Sequence, residues 1–429
     1  MIEQPITFIK RNTNPDHRAT VSKDGLKFYT EDIITPKGLQ KENKLVSVLP
    51  SDTERVIPFS EAPHLFSQIG HMNVILTNAC NLSCSYCYEQ HNKDFGRFTE
   101  ESLLNAFNWL LNTSDYPQKR FQFFGGEPLI HKDLILSFLN KHQNHLNESY
   151  YNKNQSISLI TNGLLLSPEF LKEYFIYDFT YMMVSLDTLR VELDHRELAQ
   201  EDIDKILNTI SELPKHAKNR ITMRCTLAQE SAAYIKEYMD KIYSIGVRDV
   251  IVHPLVHNSS TGYINWDTNI WQTLHSDLID LLDKYADLEI SFSEGVGEKY
   301  ENNCLVGSDM IAIDASGDFT GCYFFTNMKT VDAVKPTVLG NIFDDRVHID
   351  RYQTFQKLYN EMHEQNDQCK TCDYRNYCYQ CPAGNVSTGS PLFRPDEMCQ
   401  KIVKLYIDLQ DDLKKKQAAR AYKKAAMGL

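Results

Sequence analysis

The stretch Asn78-Ala79-Cys80-Asn81-Leu82-Ser83-Cys84-Ser85-Tyr86-Cys87-Tyr88 directly follows an apolar run, HMNVILT, at His71–Thr77. It places three cysteines at the spacing C-x3-C-x2-C. Buried structural cysteines are usually solitary and disulfides need an even number, so this spacing favours a soft metal, either zinc or an iron–sulfur cluster. Because a cubane cluster has four irons, three cysteines would leave one iron open to another ligand.

A repeating unit extends from His71 to about residue 288, in which an apolar, β-branched run precedes a loop and an amphipathic helix. Helical spacing marks Thr99–Asn112, Glu201–Leu213 and Ser231–Tyr243, and Ser167-Pro168-Glu169 is typical of a helix start. Six such units predict an α/β fold with a parallel sheet covered by helices, a partial (β/α)6 TIM-like barrel. The apolar runs are His71–Thr77, Arg120–Phe124, Ile157–Thr161, Thr180–Leu186, Arg220–Thr226 and Asp249–Leu255.

Glycines and polar side chains cluster where these runs end. The carboxyl ends of parallel strands meet on one face of such a fold, where working groups gather. Gly125-Gly126-Glu127-Pro128 follows the second run; its glycines permit close backbone approach to a ligand, and Glu127 adds a carboxylate acceptor. The pattern predicts that one face also collects the cysteine loop, Thr161-Asn162-Gly163, Ser185-Leu186-Asp187, Arg224 with Thr226, and His253.

A second group of cysteines occupies the last third of the chain. Its central run, C-x2-C-x5-C-x2-C, is compatible with zinc, although structural zinc pairs commonly have longer spacers. We interpret the remaining cysteine, Cys225, as a small buried hydrophobe. The group comprises Cys304, Cys322, Cys369, Cys372, Cys378, Cys381 and Cys399.

The segment around Cys80, Cys84 and Cys87, with Tyr86 before the third cysteine, resembles the signature of the radical S-adenosylmethionine (SAM) enzymes. The resemblance implies that the three cysteines bind a [4Fe–4S] cluster whose open iron is chelated by SAM. It also implies that an electron from the cluster cleaves SAM to methionine and a 5′-deoxyadenosyl radical.

The same resemblance implies a set of SAM contacts. Gly125-Gly126-Glu127 is similar to the family's GGEP motif, whose backbone and glutamate meet the SAM amino group. Ser185-Leu186-Asp187 resembles a ribose-binding SLD stretch, although a glycine often follows where this chain has Thr188. An arginine fork suits the SAM carboxylate, which favours Arg224. The expected SAM-binding residues are Tyr86, Gly125, Gly126, Glu127, Thr161, Asn162, Ser185, Asp187 and Arg224.

The cysteines between about residues 300 and 400, with Gly340-Asn341-Ile342 between their halves, resemble a SPASM extension, a small irregular α+β cluster-binding domain. The resemblance implies two auxiliary clusters, hence three [4Fe–4S] clusters in all. One would be bound by Cys369, Cys372, Cys378 and Cys399, and the other by Cys304, Cys322 and Cys381 with one position open. The family usually has C-x3-C where Cys378 and Cys381 are C-x2-C, and the eighth ligand is open between a side chain, water and the substrate.

These patterns divide the chain into four parts. We expect a radical SAM core at residues 71–290 and a SPASM domain at 291–400. Residues 1–70 are interpreted as a cap, with docking of a peptide substrate as the alternative. Residues 401–429 are expected to form a lysine-rich, solvated helix, with binding of an acidic partner as the weaker alternative.

Bulk properties narrow the class of protein. The net charge of −12 disfavours nucleic-acid binding, and the first residues lack a signal-peptide pattern. No apolar run approaches the ~20 residues that span a bilayer. We therefore expect a cytoplasmic protein, without membrane or nucleic-acid partners, whose cysteines bind clusters rather than form disulfides.

The resemblance implies a peptide-modifying oxidoreductase that uses SAM and an external electron donor of the flavodoxin or ferredoxin type. The favoured reaction is a C–C or thioether crosslink in a ribosomally made precursor peptide. The alternative is oxidation of a Ser or Cys of a sulfatase to an aldehyde. It is disfavoured because sulfatase maturases carry an acidic residue where this chain has Tyr323-Phe324. A catalytically inactive metal-binding scaffold is the alternative from another class. The sequence identifies no catalytic side chain.

Overall fold

A computed structural model of the chain describes residues 18–21, 26–35, 38–48, 55–87, 96–255, 257–258, 262–263, 266–292, 307, 309–326, 338–353, 370–373 and 397–426. The chain divides into two compact units. The first comprises Met1–Asn73, His91–Tyr116 and Glu301–Asp396, and the second comprises Val74–Gln90, Pro117–Tyr300 and Glu397–Leu429. The four-part division expected from the sequence stays a prediction.

The strands, in chain order, are β1 (Arg18–Val21), β2 (Leu26–Thr35), β3 (Gly38–Val48), β4 (Val56–Ile57), β5 (His71–Thr77), β6 (Lys119–Gly125), β7 (Gln155–Thr161), β8 (Thr180–Ser185), β9 (Ile221–Leu227), β10 (Asp249–Pro254), β11 (His257–Asn258), β12 (Gly262–Tyr263), β13 (Glu289–Phe292), β14 (Met310–Ile313), β15 (Asp318–Thr320), β16 (Val338–Asn341) and β17 (Arg346–His348). The α-helices are α1 (Glu100–Thr113), α2 (Lys132–Lys153), α3 (Pro168–Tyr174), α4 (Gln200–Ser211), α5 (Lys215–Lys218), α6 (Ile235–Ser244), α7 (Thr268–Lys284), α8 (Tyr323–Thr326) and α9 (Glu397–Ala426).

The first unit contains antiparallel pairing throughout its described strands. One sheet has the order β1-β2-β3, and β14 to β17 continue in order to β4. A turn at residues 314–318 connects β14 and β15, with Gly317 at φ +84°. An aromatic cluster forms the core of this unit, with ring centroids between 5.0 and 6.3 Å apart; its members are Phe59, Phe66, Trp109, Phe319 and Tyr352.

The second unit is built on the predicted parallel sheet. Its strands have the order β13-β10-β9-β8-β7-β6-β5, and the neighbouring strands from β6 to β13 pair in parallel. All six predicted runs are strands, and β13 adds a seventh that the sequence pattern did not reveal. Alternate residues of β9 are buried against the helices, including Met223 and Cys225, whereas Arg224 and Thr226 are half-buried on the opposite face. This alternation confirms that Arg224 and Thr226 share a face.

Helices α1 and α3 begin where the sequence indicates, whereas α6 begins at Ile235, four residues after the predicted Ser231 and directly after a 3₁₀ segment. Thr99 caps α1 by accepting a hydrogen bond from the Ser102 amide, and Ser167 caps α3 by accepting one from the Phe170 amide. Pro168 occupies the first turn of α3, where its missing N–H costs nothing. Each cap fixes the point at which a strand-end loop turns into a helix.

Helix α9 corrects the expectation of a solvated C-terminal helix. Leu409 and Leu413 are buried, and the Gln417 side chain accepts from the Ile290 amide and donates to the Ile290 carbonyl oxygen, at 2.9 and 3.3 Å. Arg420 donates to the Leu288 carbonyl oxygen at 2.6 Å. One side of α9 thus covers strand β13, which satisfies edge groups that would otherwise be open to pairing. Within the described residues, no helix has the length and apolar character needed to cross a membrane.

Candidate active site

The three cysteines of the cluster motif lie on the loop that leaves β5, here called the cluster loop (residues 78–87). Cys80 is exposed, and Cys84 and Cys87 are half-buried. The start of this loop is fixed by two hydrogen bonds, one from the Ala79 amide to the Thr77 hydroxyl and one from the Glu127 amide to the Ala79 carbonyl oxygen. Its end is tightened by the Cys87 amide, which donates to the Cys84 carbonyl oxygen at 3.0 Å.

Desolvation raises the pKa of two thiols of the cluster loop. It raises the pKa of Cys84 to about 12, although the positive charge of Arg196 opposes the shift. Partial desolvation also raises the pKa of Cys80. Cysteine binds metals as its thiolate, so cluster binding at these residues has to displace protons.

The donor set fits an iron–sulfur cluster. Thiolates are the usual ligands of [4Fe–4S] clusters, each binding its own iron. Among the residues that the structure describes, no three His, Cys, Asp or Glu side chains converge as a single metal ion would require. A cluster spaces its ligands more widely than a single ion does, because its irons occupy alternate corners of a cube and each thiolate binds a different iron.

The backbone of Gly125 and Gly126 packs against the end of β5 and the start of the cluster loop. A Cβ atom on Gly126 would lie 2.3 Å from the Ala79 carbonyl oxygen and 2.8 Å from that of Asn78. Gly125 has φ +128°, and a Cβ atom there would lie 2.2 Å from the Thr77 carbonyl oxygen. These positions accept only glycine, because the end of β6 and the cluster loop are in backbone contact.

Glu127 is completely buried, and its carboxylate connects the ends of two strands. One carboxylate oxygen accepts from the Leu129 amide at 2.9 Å and the Thr161 hydroxyl at 2.8 Å, and the other accepts from the Asn162 amide at 2.8 Å. Burial raises the pKa of Glu127, and these hydrogen bonds oppose the shift. Its predicted contact with the SAM amino group stays a prediction.

Asn162 links the end of β7 to the cluster loop. Its side-chain amide donates to the Asn81 side-chain oxygen at 2.8 Å and lies 3.8 Å from the Cys80 sulfur. The Asn162 side-chain oxygen in turn accepts from the Leu164 amide at 3.0 Å. The predicted Thr161-Asn162 pair therefore lies beside the first cysteine of the motif.

Asp187 is buried and faces the cluster loop. It accepts a hydrogen bond from the Tyr86 hydroxyl at 2.5 Å and, through its other oxygen, one from the Thr226 amide at 2.9 Å. Burial raises the pKa of Tyr86 well above its ordinary value, so this phenol remains a donor. Cys225 is buried, and its thiol donates to the Asp187 carbonyl oxygen. Asp187 thus joins three strand ends, and its predicted ribose contact stays a prediction.

Arg196 is a buried residue of the site that the sequence pattern did not reveal. Its Nε lies 3.6 Å from an Asp187 carboxylate oxygen and 3.7 Å from one of Asp194. Its Nη1 donates to the Ser185 carbonyl oxygen at 2.5 Å. The positive charge lies close enough to Cys84 to lower the pKa of that thiol against the effect of burial. A guanidinium beside the thiol favours its deprotonated, ligating form.

Ser185 and Arg224 are paired in register on the neighbouring strands β8 and β9, so both side chains project from the same face. Both are half-buried. His253 pairs in register with Thr226 and belongs to this face as well. Burial and, to a lesser degree, the positive charge of Arg224 lower the pKa of His253 to about 3, so its ring is neutral. The structure therefore brings Ser185 and Arg224 together as the sequence predicted.

The structure describes three of the seven cysteines that are predicted to bind the auxiliary clusters. Cys322 is buried and Cys372 is half-buried, and both belong to the first unit. The backbone of Cys399 lies in α9. The other predicted ligands, Cys304, Cys369, Cys378 and Cys381, lie outside the described residues.

Comparison with known proteins assigns two domains. The family model described as the radical SAM superfamily matches residues 74–248, and the SPASM model, an iron–sulfur cluster-binding domain, matches residues 304–373. These domains imply SAM and [4Fe–4S] clusters as cofactors.

Two relatives illustrate the similarity over most of the chain. The GTP 3′,8-cyclase of Aliarcobacter butzleri is 24% identical over 66% of this chain and 88% of its own length. The mycofactocin maturase MftC of Mycobacterium tuberculosis is 22% identical over 76% of this chain and 81% of its own length.

Streptococcus suis SuiB, solved with the precursor peptide SuiA, shares the fold. Its TM-score is 0.59 at 15% identity, over 79% of this chain and 78% of SuiB. The chain carries a radical SAM domain over residues 74–248 and a SPASM domain over residues 304–373.

Proposed function

We propose that this chain is a radical SAM maturase that forms a C–C or thioether crosslink in a ribosomally made precursor peptide. The observation that carries the proposal is the combination of a radical SAM site with a SPASM match in one chain. Similarity to a maturase, MftC, supports it. The fold shared with SuiB, which was solved with its precursor peptide, is in keeping with it.

In this proposal the chain's own residues bind and orient the cofactors. Cys80, Cys84 and Cys87 would hold the first cluster, and the Gly125-Gly126 backbone would bind the SAM amino group. Arg224 would bind the SAM carboxylate, and Ser185 pairs with Arg224 in register. When bound, these cofactors supply the radical that removes a hydrogen atom and the auxiliary clusters supply an acceptor for the remaining electron.

Glu127 and Asp187 have positioning roles in this arrangement. Their carboxylates are occupied by amide and hydroxyl groups from the ends of neighbouring strands. Fixing those ends holds the loops that carry the ligating groups. Such pre-organisation matters because a radical must be generated close to one target C–H bond and away from water.

A second candidate is cyclisation of a nucleotide, since a GTP 3′,8-cyclase aligns over most of its own length. The two candidates differ in substrate, so one experiment separates them. Holoenzyme would be incubated anaerobically with SAM, a reductant and candidate precursor peptides, chosen from short reading frames near its gene. A parallel reaction would contain GTP instead.

We expect the peptide to lose one pair of hydrogens for each crosslink while 5′-deoxyadenosine accumulates. GTP should remain unchanged. The variant with Cys80, Cys84 and Cys87 replaced by Ala serves as the blank for both reactions. Consumption of GTP without any change in peptide mass would overturn the proposal in favour of the cyclase. Conversion of a Ser or Cys in a sulfatase peptide to an aldehyde would instead support the oxidase alternative.

A further inference from the structure

Three polar side chains form a chain of hydrogen bonds beside the cluster loop. The Ser85 hydroxyl lies 3.2 Å from Nδ1 of His195, and Nε2 of His195 lies 2.8 Å from a Glu230 carboxylate oxygen. The Ser85 amide also donates to the His195 carbonyl oxygen at 2.9 Å. Ser85 is therefore held through both its backbone and its side chain by one residue.

The hydrogen-bond partners of His195 determine which of its ring nitrogens carries the hydrogen. A carboxylate only accepts hydrogen bonds, so Glu230 requires the hydrogen on Nε2. In the neutral ring, Nδ1 then accepts from the Ser85 hydroxyl. Glu230 thus sets the tautomer that lets His195 hold Ser85, in the way that outer partners orient metal-binding histidines.

The location of Ser85 gives this contact its importance. Ser85 lies between Cys84 and Cys87, and the adjacent Tyr86 is held by Asp187. His195 belongs to the loop after β8, and Glu230 lies in the first turn of the short 3₁₀ segment Gln229–Tyr234 after β9. The chain of hydrogen bonds therefore ties the loops after β8 and β9 to the second half of the cluster loop.

We propose that His195 is a positioning residue that holds Cys84 and Cys87 in place for the SAM-binding cluster by fixing Ser85, and that Glu230 orients His195 for this task. The proposal concerns retention of the cluster and is independent of which substrate the enzyme modifies. Loss of the His195 ring frees the Ser85 side chain and leaves only the backbone contact. The segment that carries two of the three ligands then moves more freely.

The test measures iron release from anaerobically reconstituted holoenzyme challenged with a ferrous-iron chelator. The trace of the Cys80, Cys84, Cys87 to Ala variant is subtracted, so that only the SAM-binding cluster is followed. We expect His195→Ala and Ser85→Ala to release this iron about fivefold to tenfold faster, as the loss of one ordinary hydrogen bond implies. The double variant should be no faster than either single one, because both remove the same contact.

Two further variants separate positioning from general destabilisation. Asn at position 195 can accept at the place of Nδ1, so His195→Asn should restore release to within about twofold of the wild type. His195→Gln reaches Glu230 but not Ser85, and it should release iron like His195→Ala. His275→Ala is the matched control, since His275 also pairs with an exposed carboxylate, Asp412 at 3.2 Å, but on helices α7 and α9.

The electron paramagnetic resonance signal that changes on SAM addition provides a second readout. It should weaken in parallel with iron release in His195→Ala and recover in His195→Asn. Release from His195→Ala that matches His275→Ala would overturn the proposal. Equal release from the Asn and Gln variants, or additive effects of Ser85→Ala and His195→Ala, would also overturn it, because either result would mean that the Ser85 contact does not hold the cluster.

Discussion

Replacing Gly126 with Ala tests the contact between the GGEP segment and the cluster loop. The added Cβ would meet the Ala79 carbonyl oxygen at 2.3 Å, the Ala79 carbonyl carbon at 2.7 Å and the Asn78 carbonyl oxygen at 2.8 Å. All three are backbone atoms of the loop that carries Cys80. Relief of the overlap therefore requires the backbone to move by about 1 Å, because no flexible side chain can give way.

The size of the effect follows from what that movement disturbs. Overpacking of a well-packed site costs about 1–3 kcal/mol. The hydrogen bonds from the Gly126 amide to Thr77 and from the Glu127 amide to Ala79, at 2.8 and 2.9 Å, are also stretched. If both are lost, at about 1 kcal/mol each, the expected loss of stability is roughly 3–5 kcal/mol. At roughly 2–4 °C per kcal/mol for a unit of this size, that loss corresponds to a fall in Tm of roughly 6–20 °C.

The assay combines thermal unfolding of the protein with the iron content of the reconstituted enzyme. We expect Gly126→Ala to lose the SAM-responsive cluster signal while keeping its SPASM-bound iron. Gly246→Ala is the matched control; Gly246 has φ +93°, and its Cβ would meet only the flexible side chain of Lys218. An unchanged Tm together with full iron loading in Gly126→Ala would refute the close approach on which this reasoning rests.

Three further predictions concern stability. Glu127→Gln places an amide donor against groups that already donate hydrogen bonds. Thermal melts should therefore show that the free energy of unfolding falls by about 2–3 kcal/mol. An unchanged stability would contradict the hydrogen-bond assignment. The pKa of His253 is lowered to about 3 in the folded chain. Below pH 6.5 the unfolded chain therefore binds a proton at His253 that the folded chain does not, and the folded state loses stability as the pH falls. Melts between pH 7 and 5 should therefore show a shallower decline for His253→Gln than for the wild type, and identical slopes would refute this. Gln417→Leu removes both hydrogen bonds to Ile290 and should lower stability by about 1–2 kcal/mol. It should also expose the edge of β13 and promote aggregation, which light scattering would detect. A soluble variant of unchanged Tm would contradict the covering role of α9.

The sequence predicted the parallel sheet because each strand is a nearly continuous apolar run. It did not reveal β13, a four-residue strand, Glu289–Phe292, in which polar and apolar residues alternate. Nor did it show that α9 covers this strand, because the contact depends on Gln417 and Ile290, which are far apart in the chain. Short edge elements carry little local signal, and distant chain segments determine their partners.

The site shows the same division between local motifs and distant contacts. Cys80, Gly126 and Arg224 could be predicted from motifs at strand ends. Arg196 and His195 lie in a polar stretch without periodicity, and their partners come from other loops. Asp187 was predicted from its motif, but its carboxylate binds Tyr86 and the Thr226 amide, which only the folded chain brings together.

The most direct test of the radical SAM and SPASM assignment is the content of iron, sulfide and zinc per chain after anaerobic purification. It should be measured for the wild type and for the variant in which Cys80, Cys84 and Cys87 are replaced by Ala. Three cubane clusters predict about twelve irons in the wild type and about eight in the variant. About four irons together with zinc in the wild type would contradict the account, because the cysteines from Cys304 to Cys399 would then form a structural zinc site unable to accept an electron.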